Sequence, residues 1–303
     1  MEDVIIARTS LDEFGFESLL GQLFNIDLAH AQKLEIDLSG VEFIDPYGMV
    51  GLLEVGRHNL NFTNRKPILH LPILDSVVKY MERMNFFELA GEFYIIRADR
   101  LSKGGSYMRK GYSDVLLELT RIENSLDIHS IVTEVKKRAK SILQTHLHYD
   151  EGAIAGFIVA LSEVCQNIPE HSEDIGLVGI QKYFYEKKLN KNVVKIAVMD
   201  LGIGIKKSLG PKFSALYGRK WSDLMAIEKA LFEGASRYED LGRGHGLIKV
   251  REFVERWNGR ISIRSRTAKV TTIPKWDRGS SLRVALSSFP GTQINITLPQ
   301  ISF

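Results

Sequence analysis

The sequence predicts a two-domain α/β protein, in which a small α/β domain precedes a larger sandwich of helices on a mainly antiparallel sheet. Three observations carry that prediction. Short apolar strands alternate with helical segments before residue 100. A stretch rich in Gly, Ser and positive charge then breaks the pattern, and two helices and a set of strands follow it. The charge divides at the same place. Residues 1–101 hold 9 Lys/Arg and 16 Asp/Glu, whereas the remainder holds 31 and 21. An acidic module is therefore joined to a basic one, of the kind that handles anions.

In the first part, Leu34-Glu-Ile-Asp-Leu38 alternates as a half-buried strand does. Phe43-Ile-Asp-Pro-Tyr-Gly48 is a turn and leads into a helix over Met49–Leu60. Ile68–Leu71 is a second strand, and Pro72–Leu89 has helical spacing at Leu74, Val77, Val78, Met81 and Met84. Phe93–Ile96 closes this domain as a strand. The expected boundaries are a domain over 1–100, a linker over 101–111 and a second domain over 112–303.

In the second part, Val115–Leu119 reads as a strand, Ile128–Leu143 as an amphipathic helix and Ala153–Ile168 as another. Pro169 should kink or end that helix and leave His171 in a loop. Val193–Met199 is an apolar strand that ends at Asp200-Leu-Gly-Ile-Gly204. Ser222 caps a helix that Gly234 stops. Gly242-Arg-Gly-His-Gly246 runs into a helix with Leu247, Val250, Val254 and Trp257 on one face. Arg260–Ser265, Leu282–Leu286 and Gln293–Leu298 finish the sheet.

Composition narrows the class. Of 303 residues, 44% are hydrophobic and 25% charged, as in folded soluble proteins, which argues against long disorder or a fibre. The uncharged apolar stretch Gly152–Leu161 is shorter than the ~20 residues a bilayer needs. Met1-Glu2-Asp3 is acidic where an export signal would be basic. Cys165 is the only cysteine, so intrachain disulfides and cysteine-rich zinc sites are excluded. The expected location is the cytoplasm, without a membrane.

Four local patterns carry chemistry. Glu163 and Asn167 are spaced i and i+4, so they stand together on one helix face, with Glu170 a turn further on. A carboxamide oxygen is a hard ligand for Mg²⁺ and a carboxylate can take a proton from a hydroxyl, although a solvated polar face would explain the same spacing. Asp200 at a strand end, with Gly202 and Gly204 after it, could accept a hydrogen bond from an exocyclic amine, or simply cap a turn. Gly242, Gly244 and Gly246 at a helix start offer N–H groups to phosphate, and Arg243, His245 and Lys249 add charge. The spacing is not that of a dinucleotide fold, and no GxxxxGK[ST] loop occurs. Gly291-Thr292 before the last strand is a tight turn or the edge of a pocket.

Their order is more specific than any one of them. ExxxN at 163–167, DxGxG at 200–204, GxGxGL at 242–247 and Gly-Thr at 291–292 resemble the four boxes of the GHKL (Bergerat-fold) ATPases over roughly residues 112–300. Ser162-Glu-Val-Cys-Gln-Asn167 with Glu170-His171 is most similar to the anti-sigma-factor serine kinase branch. The resemblance implies ATP and Mg²⁺ as ligands, with Asn167 holding the metal and Glu163 as catalytic base. It implies that Asp200 reads the adenine amine, with Gly202 and Gly204 lining the base pocket. Gly242, Arg243, Gly244, His245, Gly246 and Leu247 would surround the phosphates, Thr292 would support the adenine, and residues 205–241 would form a mobile lid.

Residues 1–97 resemble a STAS domain, the anti-anti-sigma-factor fold, through Leu34–Gly40 and Phe43-Ile-Asp-Pro-Tyr-Gly-Met49. Where signalling members of that family carry two hydroxyl residues, Pro46 and Tyr47 stand here. The module is therefore expected to dock and not to accept phosphate. Together the resemblances imply a partner-switching regulator, either a Mg-ATP-dependent protein serine/threonine kinase or a slow ATPase. The alternative is a nucleotide-gated binding module without turnover. The implied partner is a regulatory protein, STAS-like or sigma-factor-like, and a homodimer is left open. His129, His146 and His148 lack the context of a histidine-kinase acceptor, and no element that would read nucleic acid is recognisable.

Overall fold

The computed structural model describes residues 3–97, 116–185, 189–237 and 245–301. The chain forms two compact units, Met1–Leu119 and Thr120–Phe303.

The first unit runs β1 (Asp3–Ile6), β2 (Ser10–Leu11), α1 (Glu13–Phe24), β3 (Leu34–Asp37), β4 (Phe43–Ile44), α2 (Pro46–Thr63), β5 (Ile68–His70), α3 (Asp75–Arg83), α4 (Phe86–Phe93) and β6 (Ile95–Arg97). Its main sheet has the order β1-β3-β5-β6, every pair parallel. Parallel neighbours need crossover connections, and the helices between the strands supply them. Ile5, Ile36 and Leu69 lie side by side in the register and are fully buried.

α2 begins earlier than the spacing predicts. Asp45 accepts the Gly48 N–H at 2.8 Å, and Pro46 occupies the first turn, where its missing N–H costs nothing. Tyr47 is consequently helical and only 1% exposed, with its ring edge-on to Phe16 at 5.6 Å between centroids. The single helix expected over Pro72–Leu89 is two helices, because Asn85 turns the chain through φ 62° between them. Phe93 belongs to α4 and the closing strand starts two residues later.

Lys33 and His70 both hold the Glu35 carboxylate, His70 Nε2 at 2.6 Å. The Lys33 ammonium first, then His70, keeps the Glu35 carboxyl below its ordinary value of 4.5. A depressed carboxylate stabilises the fold above its unfolded value, and the contribution disappears as pH falls through the folded value. Glu35→Gln should therefore flatten the loss of stability below about pH 5 in urea titrations. An unchanged acid limb would show that the pair contributes nothing.

The second unit comprises β7 (Leu117–Ile122), within which the two units part, then α5 (Ser125–Leu147), α6 (Glu151–Asn167), one π-helical turn over Ile168–Ser172, β8 (Gly176–Tyr185) and β9 (Lys191–Asp200). There follow α7 (Gly204–Tyr217), a 3-10 turn over Gly218–Lys220, α8 (Asp223–Phe232), α9 (Gly246–Arg256), β10 (Arg260–Arg266), β11 (Ala268–Thr271), β12 (Leu282–Arg283) and β13 (Phe289–Pro299). The sheet order is β12-β11-β10-β13-β9-β8-β7, with antiparallel pairing from β8 to β12. α6 packs between α5 and α9.

Three expectations change here. His171 lies in the π turn and not in a loop. Pro169 cannot donate to an i−4 carbonyl, and the wider turn carries the helix past it. The strand expected over Leu282–Leu286 shrinks to two paired residues, since Ala285 turns the chain away at φ 56°. Residues 205–237 of the expected lid form two helices around a core of Leu209, Trp221, Ala226 and Ala230; residues 238–241 lie outside the described residues. Rings of Phe213, Tyr217 and Trp221 stack beside that core, the closest pair 5.4 Å apart. Finally, Glu151–Ser172 is a 22-residue helical run that by length and composition could cross a membrane. It is longer than the uncharged apolar stretch Gly152–Leu161, because the helix continues through Glu163 and the π turn. Its Phe157, Leu161, Val164 and Cys165 are nonetheless fully buried inside this unit, and burial pushes the Cys165 thiol up to about 12.

Candidate functional site

One cavity of about 300 Å³ collects residues from seven places in the second unit. α6 contributes Glu163, Val164 and Asn167, and the π turn adds Glu170, His171 and Ser172. β9 ends in it at Asp200, α7 opens onto it at Gly204 and Ile205, and Ala235–Arg237 follow α8 into it. The first turn of α9 brings Gly246, Leu247 and Lys249, and β13 brings Thr292 and Ile294.

Asp200 is 5% exposed and terminates β9 because its Oδ1 accepts the Gly202 N–H at 2.8 Å, closing a turn. The carbonyl of Asp200 is covered from the neighbouring strand. Gly291 sits against it at φ 72°, so near that a Cβ would lie 2.0 Å from the oxygen. Gln293 Nε2 donates to the same carbonyl at 3.3 Å and to Pro290 O at 2.8 Å, while fully buried Arg264 donates to Gln293 Oε1 at 3.4 Å and to Arg266 O at 2.9 Å. Ser265 Oγ donates to Gly291 O at 3.0 Å and accepts the Ile205 N–H at 3.1 Å, tying α7 to β13. The carboxylate thus projects from a floor whose backbone is fixed from both sides.

At the other end of the cavity, Glu163 lies against the start of α9. A Cβ on Gly246 would come 2.6 Å from Glu163 Oε2, so the glycine leaves room for the carboxylate, which any larger residue would push aside. Lys249 Nζ stands 3.6 Å from Glu163 Oε1. Asn167, one turn along α6, has its amide nitrogen buried without a hydrogen-bond partner. A half-turn of the amide puts its oxygen at that position, a hard acceptor of the type Mg²⁺ selects. An orphaned carboxamide end beside a carboxylate fits a metal-bound phosphate chain better than it fits a closed core, where the unmade bond costs ~1–3 kcal/mol.

Of the residues that sequence spacing nominates, Glu163, Asn167, Asp200, Gly204, Gly246, Leu247 and Thr292 meet at this cavity. Gly202 does not line it, because its Cα faces the carbonyl of Ser172, where a Cβ would come within 2.0 Å. It serves by letting the β9 turn pack on the π turn. His245 caps α9 as an exposed residue outside the lining. Gly242, Arg243 and Gly244 lie outside the described residues. Sequence reasoning missed Ser236 and Arg237. Arg237 Nη1 reaches Glu173 Oε1 at 3.4 Å, and only its place after the Gly234 stop could have drawn attention to it.

Comparison with known proteins agrees with this arrangement. Residues 153–301 match the family model described as histidine kinase-, DNA gyrase B-, and HSP90-like ATPase. No curated protein matches the chain. The matched family binds ATP, usually with Mg²⁺. The match begins in α6, ahead of Glu163, and ends beyond β13, so it spans every wall of the cavity. Residues 153–301 are a GHKL-type ATPase domain.

Proposed function

We propose that the protein is a Mg-ATP-binding regulator of the partner-switching type, which transfers a phosphoryl group to a protein serine or threonine or hydrolyses ATP slowly. The observation that carries the reading is the cavity itself. A buried carboxylate on a braced floor lines it, as do a second carboxylate packed against the glycine start of α9 and, one turn along α6, a carboxamide whose buried nitrogen has no partner. In this reading Asp200 accepts from the adenine amine, Asn167 holds Mg²⁺, and Glu163 takes the proton of the attacking hydroxyl. Phosphoryl transfer depends mainly on positioning and charge neutralisation, and these residues could supply both.

The test is a thermal melt with and without Mg-ATP. A ligand at 100 times its dissociation constant adds ~2.7 kcal/mol, a shift of several degrees. Asp200→Asn should abolish the shift. An equal shift in that variant would remove Asp200 from the site.

The N-terminal unit is proposed to be a STAS-like docking module for a regulatory protein, itself STAS-like or sigma-factor-like. Burial of Tyr47 to 1% supports docking over phosphorylation, since a kinase cannot reach a ring held inside the fold. Intact-mass measurement after incubation with Mg-ATP should find no phosphate on residues 1–101. Stoichiometric phosphate there would overturn this assignment.

A further inference from the structure

Lys249 is oddly placed. It stands in the first turn of α9, three residues after Gly246, where the helix macrodipole favours anions and disfavours a lysine. It lines the cavity, at the end away from Asp200. Its ammonium is 3.6 Å from Glu163 Oε1, and its side chain is 58% exposed. A loose pair at that exposure holds weakly and is readily exchanged for a stronger anion. Glu163 is more confined, at 27% exposure and packed against Gly246, so the lysine's flexible stem is the mobile partner.

On the reading that this cavity takes ATP, we propose that Lys249 distinguishes nucleoside triphosphate from diphosphate. In the ligand-free protein it pairs with Glu163. When a triphosphate enters, its ammonium moves to the terminal phosphate, whose oxygens carry more charge than one carboxylate. A diphosphate presents nothing at that distance, and the pair with Glu163 survives. Glu163 and the terminal phosphate therefore compete for one cation. The exchange also releases the Glu163 carboxylate only when a triphosphate is present.

Competition makes a prediction that simple charge attraction does not. Calorimetric titration of the full chain with Mg-ATP and with Mg-ADP should show that Lys249→Met weakens ATP binding about tenfold and ADP binding less than threefold. Lys249→Arg, which keeps the charge, should restore most of the preference. Glu163→Gln should tighten ATP binding about threefold by freeing the lysine, and should have no such effect in the Lys249→Met background. Equal weakening of both nucleotides, or an unchanged ATP-to-ADP ratio, would overturn the assignment of Lys249 alone. A wild-type chain that bound neither nucleotide would overturn the ATP reading beneath it.

Discussion

Gly291→Ala is expected to destabilise the C-terminal unit by about 4 kcal/mol and to abolish nucleotide binding. Two terms of similar size add. A side chain at φ 72° is strained by ~1–3 kcal/mol, and a Cβ 2.0 Å from the carbonyl of Asp200 forces the two strands apart at a further ~1–3 kcal/mol. The displaced strand is the one that presents Asp200, and Gln293 and Ser265 bond to the carbonyls of Asp200 and Gly291 on either side of the contact. Loss of stability and loss of binding should therefore appear together. Gly91→Ala, at an exposed position inside α4, is the control. Beyond its chain neighbours and its own helix no atom lies within 4 Å of the added methyl, and in a helix interior alanine is favoured over glycine by ~0.5–1 kcal/mol. Urea midpoints should fall sharply for the first variant and hold or rise for the second. A loss below 1 kcal/mol at Gly291 would mean that the turn yields, and that it does not brace the carboxylate.

The elements legible in the sequence were those whose apolar residues fall on one face. α6 is such a case, with Phe157, Leu161, Val164 and Cys165 buried and Glu163 turned to the cavity. β8 escaped notice because Gly176 and Gly179 weaken its pattern, while its first five residues are buried on both faces and so do not alternate. β1 was hidden for the opposite reason, since Val4 and Ile6 are 47% and 63% exposed around a buried Ile5. α1 does show the helical spacing Phe16, Leu19, Leu20 and Leu23, but Gly15 and Gly21 lower its helix propensity. α7 carries Pro211 in its interior, which reads as a helix breaker.

The candidate site was more legible than the fold around it. Its ligands come from short motifs that each sit at the end of a regular element, where a glycine or an acidic residue leaves a mark. What could not be read was the support. Arg264, Gln293 and Ser265 hold the floor through pairings across strands 29 residues apart or with backbone carbonyls, and no local pattern encodes them. Gly202 illustrates the limit. Its spacing from Asp200 points to the end of β9, yet its contact is with the π turn and not with the cavity.

Glu163→Gln is expected to lower turnover by ~10²–10⁴-fold while ATP binding is retained. The substitution keeps the volume and leaves an oxygen acceptor, so α6 and its packing against Gly246 need not change. What it removes is the ability to take a proton. If the reaction is phosphoryl transfer to a hydroxyl, or attack by water, that proton must leave as the new bond forms, and Glu163 is the carboxylate on α6 that faces the cavity one turn from Asn167. Binding relies instead on Asp200, Asn167 and the start of α9, and it should hold or tighten, because the change leaves these in place and frees Lys249 from its pair with Glu163. Single-turnover assays with labelled ATP, run beside calorimetric titration, separate the two effects. Retained binding with lost turnover supports Glu163 as the base. Full turnover in the variant would refute that role and shift attention to Glu170, the other carboxylate that the π turn brings to the same cavity.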